Sequence, residues 1–181
     1  MEQINRSISY AEAVERMFMK TKSIYFLFGV FASAFLKSLF MAVTYPSKSD
    51  YILFHSEGKP HLFFIFLGTL LLLDALVIWL ILRPKAIGFW LALASIAVSK
   101  LEEFTALQIA LRNNDLIKQL FIEQREARGR LMDDNALRMT DVLFSPTGLY
   151  AGFFLMLAGS LLVLLVLWRN RDYFFKSYIW R

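Results

Sequence analysis

The 181-residue sequence contains no cysteine. That excludes disulfides, thiolate nucleophiles and cysteine-ligated metals, and leaves the redox compartment open. Charge is also scarce: Asp, Glu, Lys and Arg make up 19% of the chain, against about a quarter in an ordinary soluble domain. Glycine-rich phosphate loops are missing, and no serine stands in a strand-turn-helix elbow, so nucleotide binding and serine-nucleophile chemistry find no support. Hydrophobic residues, in contrast, reach 57%. Their excess is gathered into blocks, the pattern of membrane spans rather than of one large core. A net charge of +5 would hint at nucleic acid in a soluble protein. Here the basic residues sit mostly beside the apolar blocks, where topology and anionic lipid account for them. The expected partner is the lipid bilayer, with no nucleic acid and no cofactor.

Ser9 followed by Glu12 is a capping-box pattern, and Ala11, Val14, Met17 and Phe18 recur behind it at helical spacing. Residues 1–23 therefore read as an amphipathic helix, lying on the membrane surface or packed on one end of the bundle. Ala32-Ser33-Ala34 has the form of a signal-peptidase site, but Glu2, Glu12 and Glu15 do not suit a short basic leader. The first apolar block is expected to be a retained span.

Spans are predicted over residues 24–43, 62–82, 86–111 and 145–168, giving an all-α, polytopic membrane protein built as a single four-helix bundle. Loop 1, residues 44–61, reads as short and polar, and Arg83-Pro84-Lys85 as a tight turn between the second and third spans. Residues 112–142 read as a helical extension and linker, carrying the stripe Leu116, Ile117, Leu120, Phe121 and Leu131 and an i,i+4 pair of Glu126 with Arg130. The third helix is expected to extend outside the bilayer, with a break near Asn113-Asn114 as the alternative. Asp133-Asp134-Asn135 signals a turn or cap, residues 136–143 a short linker, and Ser145-Pro146 a helix start. Residues 169–181 mix Arg169, Arg171, Lys176 and Arg181 with aromatic residues, the composition of an interfacial anchor. The Arg83–Lys85 turn and this tail orient both termini to the cytoplasm, in a plasma or bacterial inner membrane.

The third block is the unusual one. Its uncharged part, residues 86–99, rises only about 21 Å, short of a hydrocarbon core of roughly 30 Å. To span, the helix must take Lys100, Glu102 and Glu103 into the bilayer, where they must face protein, one another or trapped water. With Lys37 and Asp74 in the first two spans, and Ser99 beside them, these residues are expected to form one intramembrane cluster. It is a buried ion-pair network fixing helix register, a proton or cation pathway, or a site for a charged headgroup.

Two weaker patterns remain. His55, Glu57 and His61 lie within seven residues of one another and are the only candidates for zinc, without the flanking pattern of a known zinc motif. Gly148, Gly152 and Gly159 fall near one face of the fourth span and favour close helix packing, within the bundle or between copies. Three functions compete: a non-enzymatic membrane component that self-associates or joins a larger assembly, a small ion channel or proton-coupled transporter, and a lipid-acting enzyme. No catalytic residues are assigned.

Overall fold

The computed structural model describes residues 2–130 and 132–175, with the backbone path alone over residues 2–21. It is 89% helix, with no strand among the described residues. Helix α1 spans Glu2–Thr44 and ends in a single 3₁₀ turn at Tyr45–Ser47, where Pro46 stops it. There follow α2 (Ser49–Ser56), α3 (Pro60–Leu82), α4 (Ala86–Arg112), α5 (Asn114–Glu126), α6 (Asp134–Leu143), α7 (Pro146–Arg169) and α8 (Arg171–Phe175). Three stretches are long and apolar enough to cross a membrane: Lys22–Ser47, Pro60–Leu82 and Pro146–Arg169. Helix α4 has the length, about 40 Å at 1.5 Å per residue, but Lys100, Glu102 and Glu103 interrupt its apolar surface.

Helix α3 is the centre of the bundle, packed on α1 along one side and α4 along the other, while α7 packs mainly on α4. Apolar side chains gather in two separate cores. One lies at the end that carries the Arg83–Lys85 turn and α8, where Leu27, Phe31, Val77, Ile81, Phe89, Leu167 and Phe174 are buried. The other lies at the opposite, loop-bearing end and joins Met41, Leu53, Phe54, Phe63, Ile109 and Ile117. At the turn end the helices are tied by polar contacts as well. Ser23 Oγ donates to Asn170 Oδ1 at 3.0 Å, and Tyr173 Oη donates to the Ile81 carbonyl at 2.7 Å. Burial raises the pKa of the Tyr173 phenol and Tyr25 adds to the rise, so the hydroxyl stays protonated and able to donate this bond.

Several features depart from the sequence pattern. The helix is already formed at Glu2, so Ser9 does not open it, and α1 is continuous rather than divided into a surface helix and a span. Loop 1 is not a polar loop. Tyr51-Ile52-Leu53-Phe54 lies in α2, which turns back onto α3 and α4 and buries Leu53 and Phe54. The third helix does not extend outward as expected: α4 stops at Arg112 and a separate helix, α5, begins at Asn114. Since α5 ends at Glu126 and the chain then turns at Gly129 (φ 71°), Arg130 is not a helical neighbour of Glu126. The segment read as a linker after Asp133 is helix α6, capped by the Asp133 carboxylate, which accepts from Ala136 N–H at 2.7 Å. Leu131 and the tail residues Lys176, Tyr178, Trp180 and Arg181 lie outside the described residues. Within the described tail, Phe174 is buried against Phe89 rather than presented to an interface.

Ser145 caps α7, its hydroxyl accepting from Gly148 N–H with Pro146 at the first helical position. The bend between α6 and α7 is so tight that the carbonyl oxygens of Val142 and Leu143 occupy the space where a Cβ at residue 148 would stand. Gly148→Ala is therefore expected to lower stability by about 1–3 kcal/mol, whereas Gly152→Ala, which meets no neighbour, should stay within about 0.5 kcal/mol. Thermal unfolding of the two variants in the same micelles separates them; equal midpoints would contradict the backbone clash.

Candidate functional site: a polar cavity between two apolar cores

Between the two cores lies a cavity of about 220 Å³. Helices α1 and α4 scarcely touch each other. The space between them is backed by α3, roofed by Asp50 and Phe54 of α2, and flanked by Ser160 and Val163 of α7. Lys37, Asp74, Ser99, Lys100, Glu102 and Glu103 all line it. Their recurrence follows from helix geometry. On α4, Ser95, Ser99, Glu102, Glu103 and Ala106 recur at intervals of three and four residues, which stacks them on one side of the helix.

The polar residues divide into two groups. At the end nearer the turn-side core, Asp74 is 2% exposed. Its Oδ1 accepts from Ser95 Oγ at 2.5 Å, and no lysine or arginine among the described residues forms an ion pair with it. At the loop end, Lys100 Nζ pairs with Glu103 Oε2 at 2.5 Å, one turn along the same helix. Lys37 lies within electrostatic reach of Asp50 and Glu102. Asp50 stands in α2, outside the apolar spans. Burial pushes its carboxyl above the usual carboxylate range, Glu103 adds to that rise, and the ammonium groups of Lys37 and Lys48 oppose it.

The six residues expected to cluster do line one cavity, but the lysines do not pair with Asp74. Lys100 turns to Glu103 on its own helix, and Lys37 faces the α2 roof. Asp74, lower in the bundle, keeps only a serine. The cavity also holds a carboxylate that the sequence reading omitted, Asp50, so four carboxylates face two ammonium groups. The signal for it was the apolar run Tyr51-Ile52-Leu53-Phe54, which gives a short connecting segment a reason to fold inward and carry Asp50 with it. Ser38 of α1, 8% exposed, also lines the cavity.

The remaining candidates stand elsewhere. His55 and His61 are exposed, and Glu57 accepts from Asn113 Nδ2 at 3.0 Å and lies 3.9 Å from Arg112, bracing the α4–α5 junction. Among the described residues, no three His, Cys, Asp or Glu side chains converge as a metal site. Gly148 serves the α6–α7 bend, whereas a Cβ added at Gly152 or Gly159 would meet no neighbouring element among the described residues within 4 Å. They do not mediate close packing inside the bundle. No family model, curated protein or solved structure matches the chain.

Proposed function

We propose that the chain is a four-span membrane protein, with α4 as the fourth span, that binds and moves a proton or small cation through this cavity. The observation that carries the reading is the charge balance: four carboxylates and two lysines line one space, and Lys100–Glu103 is the one ion pair formed among them. A network serving only to fix helix register would be paired throughout, because unpaired charge at bilayer depth costs several kcal/mol. Excess carboxylate around a space that admits water is instead the arrangement that attracts cations. Both termini face the cytoplasm in this reading, so the turn-side core closes the cavity toward the cytoplasm and α2 covers it from outside.

The test is flux in proteoliposomes. Wild-type protein is expected to dissipate an imposed proton or potassium gradient. Asp74→Asn and Glu102→Gln, recovered in normal folded yield, should each slow it by about tenfold or more. A wild-type protein silent under every gradient would sink transport.

A second reading, self-association or membership of a larger membrane assembly, is favoured by α7. Only 6% of the residues in the most apolar stretch of this helix are buried among the described residues, and Gly152 and Gly159 stand open on it. Such a surface suits close approach of another helix. Cross-linking in native-like lipid, with and without Gly152→Leu, tests it; a monomer under all conditions would exclude self-association.

A further inference from the structure

We infer that the cavity is a binding site for a short linear diamine, one ammonium group against Asp74 and Ser95 and the other against Asp50 and Glu102. The inference rests on the cation-binding reading of the cavity and names the chemical class of the ligand. Three observations lead to it.

The first is the separation of the carboxylates. Ser95, which holds Asp74, and Glu102 are seven residues apart on α4, two turns along one face and a rise of about 10 Å. A divalent metal ion needs oxygens converging at about 2.0–2.6 Å. The backbone positions at the two ends of this cavity stand about two helical turns apart, and no converging group of three exists among the described residues. Two charge-assisted hydrogen bonds of about 2.8 Å each leave a gap of roughly 5 Å between donor atoms, which a three-carbon chain bridges when extended and a four-carbon chain when bent at one gauche bond.

The second is the surface between the two ends. Leu70, Ile96 and Val163 line it, a wall suited to methylene groups rather than to a hydrated ion. Its volume of about 220 Å³ equals the space of roughly seven waters, the size class of a molecule with a handful of heavy atoms.

The third is charge. With Lys100 engaged by Glu103, Lys37 offsets one of Asp50 and Glu102, leaving one carboxylate in excess at the loop end. Asp74 supplies the other, 2% exposed, facing the cavity and without a counter-charge. A dication neutralises both at once, whereas with a monovalent cation the second carboxylate must take up a proton instead.

Calorimetric titration of the wild-type protein in zwitterionic nanodiscs, with 1,4-diaminobutane, butylamine and potassium chloride as separate titrants, decides the matter. The diamine is expected to bind about tenfold or more tightly than butylamine, the worth of one additional charge-assisted hydrogen bond. Asp74→Asn should reduce it to the butylamine level. The wild-type comparison stands even if that variant fails to fold. Equal binding of diamine and monoamine, or no heat from either, overturns the inference. Because binding is read without a gradient, the two proposals fail separately. Diamine binding without flux upholds the site and removes transport, while proton flux without diamine preference upholds transport and removes the site.

Discussion

Lys100→Met is expected to lower the folding stability of the protein by about 2–3 kcal/mol. Removing one partner of a fully buried ion pair costs about 3–5 kcal/mol, because the other charge is left uncompensated. The side chains of Lys100 and Glu103 are 19% and 35% exposed, which places the effect below that range. The charge balance adds to it, since Glu102, Glu103 and Asp50 line the same cavity and the change would leave Lys37 as its only ammonium group. Adding Glu103→Gln to Lys100→Met should recover most of the loss, while Glu103→Gln alone should be milder, Lys100 then being free to serve Glu102. The four proteins form a double-mutant cycle that reversible unfolding in mixed micelles can close. A coupling near zero would show that the pair is incidental to the fold.

Phe54→Ala should be the most damaging single change in the loop-side core, at about 3–4 kcal/mol. Phe54 is fully buried, with its ring centroid 6.3 Å from Phe63 and 6.2 Å from Phe66. With Leu53 it fixes α2, the helix that brings Asp50 over the cavity, to the bundle. Phe54→Leu keeps most of the volume and should cost less than about 1.5 kcal/mol. Unfolding midpoints that do not distinguish Ala from Leu at this position would mean that α2 is not seated as described.

The apolar blocks were legible because a span is a matter of length and composition, and both are linear properties of the sequence. The heights of Lys37, Asp74 and Lys100 follow in the same way from 1.5 Å of rise per residue. What rise cannot supply is which neighbour a long side chain chooses. Lys100 had Glu103 within one turn and Asp74 about 8 Å below, and the nearer acid is the one it pairs with. The eight-residue helix α2 was hidden for another reason: so short an apolar run carries no usable periodicity, so its fold-back became visible only in the tertiary contacts. The glycines of α7 show the same limit. Their spacing identified a smooth helix face, but whether it meets a neighbour, a backbone carbonyl as at Gly148 or open space as at Gly152 depends on the rest of the chain.

Phe31, which lines the cavity, is packed with Val77 and Phe89 in the buried core on the side of the Arg83–Lys85 turn. In the transport reading proposed above, a water-filled cavity would conduct and this apolar core would not, so the voltage across a polarised membrane would fall mainly over the core, with Asp74 at its edge. A charge held there stands at the rim of an insulator. Passing it through the full drop would be worth about 2.3 kcal/mol per 100 mV, so under that reading the membrane potential biases each transfer directly.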